Sequence, residues 1–223
     1  MENNQILETW QAYNVQLENL VNINRKVVAD ITQLKIKSLI GSMKTTKVTA
    51  ILIGFIWVFA GGFLLTNLCM YSFSQISIYF LVSAFLQILI TAIAIGIYLY
   101  QSILIHRIQN SENVVDTQYQ LNQLKISSIW VFKILILQLP LWTTFYLSDH
   151  FFAYSTPLIY LIQIAVTLLF TVAAILLFIN IQPKNFHKKW FKLIFNGIEW
   201  TPILHSIELC KEIEAFKKEG VEI

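Results

Sequence analysis

Four long apolar stretches dominate this chain of 223 residues. They cover residues 48–66, 76–105, 126–147 and 157–181, and Lys133 is the only charged residue inside any of them. A helix needs roughly 20 apolar residues to cross the ~30 Å hydrocarbon core of a bilayer. A mean hydropathy of +0.61 and a charged fraction of 13% also differ from those of soluble domains. The sequence therefore predicts an all-α fold with four transmembrane helices in a bundle.

Basic residues around these stretches predict the orientation in the membrane, because Lys and Arg are retained on the cytoplasmic side. Six precede residue 48, two lie between the second and third stretches, and seven follow residue 181. The loops at 67–75 and 148–156 contain none. This distribution predicts that both termini are cytoplasmic, in an inner membrane of bacterial type. It also explains the net charge of +3 without a nucleic-acid partner; the bilayer is the first partner expected.

Three regions follow from this topology. Residues 1–47 are expected to form a cytoplasmic, amphipathic, coiled-coil-like helix, and residues 48–181 the transmembrane bundle. Residues 182–223 are expected to form a cytoplasmic tail of interfacial and amphipathic helices.

The N-terminal region has an apolar seam, which repeats with alternating spacings of four and three residues. Its members from residue 10 onward are Trp10, Tyr13, Leu17, Leu20, Asn24, Val27, Ile31 and Leu34. A polar residue such as Asn24 within a seam fixes register and strand number at some cost in stability. The seam predicts association with a second copy of the chain or with a cytoplasmic protein. The alternative is internal packing on the middle loop, where Val114, Thr117, Leu121 and Leu124 repeat the same spacing.

The tail contains a second amphipathic segment next to the fourth apolar stretch. We expect its basic residues and tryptophan to anchor it in the membrane interface. These residues are Lys188, Lys189, Trp190 and Lys192. Thr201 and Pro202 then predict the start of a last helix, since they suit an N-cap and a first helical position.

Polar residues inside the apolar stretches are candidates for a site, because they are costly at membrane depth. Lys133 lies close enough to one end of its helix for the side chain to reach the interface. Pro140 predicts a bend in the third helix, near which the polar candidates are Gln87, Gln138, Thr143 and Thr144. They suit either hydrogen bonds between helices or the lining of a small pore.

Chemistry typical of enzymes is not indicated. The four histidines are scattered, and the seven glycines form no nucleotide-binding pattern. The spans contain no Asp or Glu that could carry protons. Cys69 and Cys210 are expected on opposite sides of the membrane, so they form no exposed pair. The sequence predicts no catalytic residues, no metal ligands and no cofactor.

Two short segments are similar in sequence, namely Gln33-Leu34-Lys35-Ile36 and Gln123-Leu124-Lys125-Ile126. Each precedes a pair of apolar stretches. They raise the hypothesis of an internal duplication with parallel halves.

Three parts of the chain resemble a family of bacterial four-span inner-membrane proteins with no assigned function. They are residues 34–57, the run Gln138-Leu139-Pro140-Leu141-Trp142-Thr143-Thr144, and the tail segments 189–195 and 199–202. The resemblance implies the four-span topology and brings no activity or catalytic residue. The layout is also similar to that of membrane-tethered regulators, so the sequence favours a non-enzymatic regulator or scaffold over a small oligomeric channel or transporter.

Overall fold

The computed structural model describes residues 2–71, 76–182 and 200–218, with side chains at 10–71, 76–148, 150–182 and 200–213. These residues form helices and contain no strand. The helices are α1 (Glu2–Tyr71), α2 (Ile78–Asn110), α3 (Val114–Ile136), α4 (Gln138–Thr144), α5 (Asp149–Tyr154), α6 (Pro157–Asn180) and α7 (Thr201–Lys218). Four helical segments are long and apolar enough to cross a membrane: α1, α2, α3 with α4, and α6. The predicted all-α class with four such helices is confirmed.

Helix α1 is continuous over 70 residues, which corresponds to about 105 Å. No Gly or Pro occurs before Gly41, so nothing interrupts the backbone of its first half. The hydroxyls of Thr49 and Thr66 donate to the carbonyls of Thr45 and Gly62 one turn earlier. The predicted boundary between residues 47 and 48 is therefore a change of side chains within one helix and not a break in the backbone.

Helices α1 and α2 pack closely at two glycines. A Cβ atom added at Gly54 would lie 2.8 Å from Ile95 Cγ1, and one added at Gly61 would lie 3.1 Å from Ile88 Cδ1. Gly54 is thus a close-packing position, as its sequence context beside Ala50 predicts. The same spacing of small residues predicts close packing at Gly96, four residues after Ala92, but a Cβ atom added there would meet nothing within 4 Å, so this prediction is wrong for the described structure.

The third apolar segment is divided at Leu137, which separates α3 from α4. The backbone N–H of Leu137 bonds to the carbonyls of Ile134 and Leu135. Pro140 has no N–H to continue the helical ladder toward Ile136. The interruption therefore lies within one turn of the proline that predicts a bend.

The largest buried cluster lies outside the middle of the apolar helices, at the end of the molecule where α7 packs. We call it the four-helix core, because α1, α2, α3 and α7 all contribute to it. Its members are Ile36, Ile40, Met43, Leu104, Ile105, Ile108, Val114, Leu121, Leu124, Ile203, Leu209, Cys210 and Ile213. The interior of the protein is thus concentrated at one end, where water would otherwise reach these apolar side chains.

The apolar helices are arranged as a row. Helix α1 packs on α2, α2 packs on α3 and α4, and α6 packs mainly on α4. No extensive contact joins α1 to α6 in the described part of the chain. Ala174 is the only buried side chain of α6. Most of the surface of α1 and α6 is therefore available to lipid or to other proteins.

Candidate functional site

The seam on α1 is exposed along its whole described length. Trp10 is 68% exposed, Leu20 is 65% exposed and Leu34 is 65% exposed. Tyr13, Leu17, Val27 and Ile31 are exposed as well, and so is Asn24. The structure therefore places all these predicted association residues on one open stripe of a single helix.

The opposite face of α1 carries its buried residues. Ile36, Ile40 and Met43 are at most 1% exposed and belong to the four-helix core. Leu34 and Met43 are nine residues apart, so at roughly 100° per residue their side chains point in opposite directions. The seam and the four-helix core consequently occupy opposite sides of the same helix.

The middle loop does not cover the seam. Val114, Thr117, Leu121 and Leu124 are buried, as their spacing suggests for a packed face. However, the part of α1 that shares a cluster with this face of α3 is Ile36, Ile40 and Met43. The alternative interpretation of the seam as internal packing on this loop is therefore wrong for the described structure.

The polar residues near Pro140 join helices to one another. Gln138 Nε2 donates to Thr91 Oγ1 at 2.9 Å and to the Gln87 backbone carbonyl at 3.3 Å. The buried side-chain Nε2 of Gln87 itself has no hydrogen-bond partner among the described residues. Thr144 Oγ1 lies 2.9 Å from Ser83 Oγ. Each contact links α4 to α2, so these groups are engaged in the packing of the row.

A further polar contact links α4 to α6. Gln163 Nε2 donates to the Thr143 carbonyl at 2.6 Å and to Thr167 Oγ1 at 3.3 Å. The Thr143 hydroxyl donates to the Pro140 carbonyl within its own helix. The side chains of Gln138, Thr143, Thr144 and Gln163 thus all have hydrogen-bond partners in the protein.

Lys133 lies between aromatic rings of two helices. Its Nζ is 5.0 Å from the ring centroid of Phe178 on α6 and 5.6 Å from that of Trp130. The rings offer a favourable electrostatic contact to an ammonium group. The long side chain therefore has an aromatic environment that a charged group at this depth can tolerate.

Lys47 is the residue whose surroundings differ most from the sequence-based expectation. As a basic residue next to an apolar stretch, it counts toward the orientation pattern, yet it is 0% exposed. Its Nζ lies 4.6 Å from the ring centroid of Tyr98 on α2. The one sign of this burial in the sequence is that Lys47 follows Met43 by four residues, so it lies on the same helix face as Ile36, Ile40 and Met43.

Other buried polar groups are found in the same part of the molecule. Gln101 and Ser206 are both 0% exposed, and neither side chain has a hydrogen-bond partner among the described residues. Lys125 is half-buried at the junction of α3 and α7. Desolvation lowers the pKa of Lys125, and repulsion from Lys211 lowers it further.

The predicted interfacial anchors Lys188, Lys189, Trp190 and Lys192 lie outside the described residues. Helix α7 begins at Thr201, and Pro202 lies in its first turn. The Leu204 N–H bonds to the Trp200 carbonyl, which closes that turn. Among the side chains that the structure describes, no group of three His, Cys, Asp or Glu could hold a metal ion.

No protein-family model, curated protein or solved structure matches this chain. The fold itself defines the class: an α-helical protein with four helices suited to crossing a membrane.

Proposed function

We propose that this protein is a non-enzymatic, membrane-tethered regulator or scaffold that associates through α1, with its own copy or with a cytoplasmic protein. The observation that carries the proposal is the exposed seam from Trp10 to Leu34, on a helix that continues without interruption into the first apolar segment. We place the protein in a bacterial inner membrane with both termini in the cytoplasm, which the one-sided distribution of basic residues supports.

The seam lies too far from the apolar segment to be covered by lipid. Leu34, its last member, is 14 residues before Val48, about 21 Å along the helix. Arg25, Lys26 and Asp30 lie between the first and last members of the seam, and charged residues are unfavourable in the hydrocarbon region. A continuous apolar patch in water is a mark of an interaction surface. The seam therefore supports association in the aqueous phase.

The test is a pair of variants with equal added charge. Leu17→Asp with Leu20→Asp places two carboxylates in the seam, whereas Asn19→Asp with Asn22→Asp places two on the polar side of the same helix turn. Burying a charge without a partner is strongly unfavourable. We expect both variants to insert in the membrane, since their apolar segments are unchanged, and only the seam variant to lose association.

Chemical crosslinking in native membranes and pull-down from detergent extracts measure that association. The proposal fails if the seam variant and its control retain the same self-association and the same bound proteins as the parent.

The second candidate function is a small oligomeric channel or transporter lined by the third segment around Pro140. A groove of about 550 Å³ on α6 adjoins this segment only at Leu147, and Gln163, Thr167 and Thr171 lie in it among apolar residues. These polar groups already bond within the protein, since Thr171 donates to the Thr167 carbonyl and Gln163 to Thr143. A pore requires the polar residues and tolerates changes in the seam, whereas a regulator shows the reverse.

A further inference from the structure

The exposed seam has the positions of a two-stranded coiled coil. In a heptad labelled a to g, the core positions are a and d, which are three and four residues apart in turn. Trp10, Leu17, Asn24 and Ile31 occupy a, while Tyr13, Leu20, Val27 and Leu34 occupy d. All eight side chains are exposed, so each is available to meet a partner helix.

We infer that the partner of this seam is a second copy of the same chain, and that the two α1 helices form a parallel coiled coil over residues 10–34. This inference rests on the proposed association function and names its partner. Two copies inserted in one membrane with the same orientation present their α1 helices in the same direction and at the same depth. Identical seams then meet without any offset, which is the arrangement that parallel pairing requires.

Asn24 supports pairing in this register. In a parallel pair, each a residue faces the same a residue of the other copy, so the two Asn24 amides lie opposite one another. An amide supplies both a donor and an acceptor, so the two can satisfy each other. Any shift by a heptad would place Asn24 against Leu17 or Ile31 and leave the amide buried without a partner.

The flanking positions are complementary in charge. In a parallel coiled coil, position g of one helix lies near position e of the other, five residues further along. Asp30 is at g and Lys35 is at e, so Asp30 of each copy lies near Lys35 of the other copy, which gives two Asp30–Lys35 pairs. The other flanking residues between 9 and 35 are uncharged: Thr9, Asn14, Gln16, Val21, Ile23 and Val28. Self-pairing therefore brings opposite charges together and no like charges.

The position of the four-helix core permits this arrangement. It occupies the side of α1 opposite the seam, and α2, α3 and α7 pack there. In the pair, the two cores lie on the outer sides and the two seams face each other. No described residue covers the seam, since all eight of its side chains are exposed.

The first test is disulfide crosslinking in native membranes. Cys69→Ser and Cys210→Ala provide a background without thiols, into which Leu20→Cys or Asn22→Cys is introduced. Residue 20 is at d and faces its counterpart, whereas residue 22 is at f, on the far side of the helix. We expect oxidation to give a covalent dimer with Leu20→Cys and monomer with Asn22→Cys. No dimer from Leu20→Cys, or equal yields from both, overturns the inference.

The second test exchanges the flanking charges in the Leu20→Cys background. Asp30→Lys and Lys35→Asp each create two like-charge pairs between copies, so each alone should lower the crosslinked yield, by roughly tenfold in the association constant. The double exchange restores opposite charges across the pair and should restore the yield. If the double exchange does not restore the yield, the parallel register in which Asp30 lies near Lys35 of the other copy is overturned.

Failure of self-pairing can be distinguished from failure of the proposed function. If crosslinking shows no dimer but Leu17→Asp with Leu20→Asp still removes a protein that binds the parent, the seam is an association surface for another protein and only the inference is overturned. If that double variant changes neither readout, both are overturned.

Discussion

Gly54 and Gly96 both lie in small-residue contexts of apolar helices, but their surroundings differ. Gly54 is packed against Ile95, while Gly96 faces open space. We predict that Gly54→Leu destabilises the protein by about 1–3 kcal/mol because of overpacking. Gly96→Leu should not, and it gains the same helix propensity, so the difference between the two variants isolates the packing effect.

Unfolding in mixed micelles with increasing SDS, followed by circular dichroism, measures this difference. Equal stabilities of the two variants would contradict the close contact between α1 and α2 at Gly54.

At Lys133, in contrast to Gly54, we predict that substitutions are tolerated. Phe178 and Trp130 surround its Nζ, and the apolar stretch contains no carboxylate that a substitution would leave without a partner. We therefore expect Lys133→Arg and Lys133→Leu to fold, with a loss of stability of about 0.5–1 kcal/mol from the missing cation–π contact in the Leu variant. Expression level and a single symmetric peak in size-exclusion chromatography are the readouts. Loss of assembly in both variants would mark Lys133 as a site residue.

The burial of Lys47 could not be predicted from its neighbours in the sequence. A lysine next to an apolar stretch is typical of a membrane flank, and this interpretation uses only its neighbours in sequence. Its burial depends on Tyr98, 51 residues further along. The contact arises from the pairing of α1 with α2, which no local pattern specifies.

The apolar segments and the seam could be predicted from the sequence because both are local patterns within one helix. The four-helix core could not be predicted from the sequence. Its α1 face, Ile36, Ile40 and Met43, continues into a lysine, and its partners on α7 lie more than 150 residues away. A helical pattern predicts that a face is buried, but not which helix covers it.

The burial of matched residues does not support the hypothesis of an internal duplication. Leu34 is exposed while its counterpart Leu124 is buried, and Ile36 is buried while Ile126 is exposed. The matched segments therefore direct opposite faces inward, although their sequences are similar. Short polar helices that precede apolar segments can resemble one another without sharing an environment.

The docking of α7 yields a prediction about a thiol. Cys210 is 0% exposed within the four-helix core. In a Cys69→Ser background, we expect Cys210 to react with a maleimide only after denaturation in SDS. Leu121→Asp should expose it under native conditions, because a charge in the core separates α7 from α3.

Val115→Asp is the matched control, since Val115 lies on the exposed side of the same helix. Rapid labelling of Cys210 in the parent, or equal labelling of the two variants, would contradict the packing of α7 against α1 and α3.

The distribution of basic residues along the chain predicts the side of the membrane on which each terminus lies. A reporter that is active only in the periplasm should be inactive when fused to the N- or C-terminus. The same reporter should be active when inserted near Asn67 or Ser148, in the loops without Lys or Arg. A cytoplasm-specific reporter at the same four sites is the control and should give the reverse pattern. Periplasmic activity at the N-terminus would exclude the proposed orientation.

The uninterrupted backbone of α1 also means that a change in the tilt of its apolar segment moves its N-terminal part. The part from Trp10 to Val48 extends about 57 Å beyond the apolar segment, and Ile36, Ile40 and Met43 within it pack in the four-helix core. A tilt of roughly 20°, ordinary for a membrane helix, displaces the far end sideways by about 20 Å. Bilayer thickness and the packing of α1 on α2 and α7 both influence the tilt of α1, so together they influence how far Trp10 lies from the membrane normal through the apolar segment. A given change in the tilt of α1 therefore displaces Trp10 further than it displaces the apolar segment, because Trp10 lies further from the bilayer.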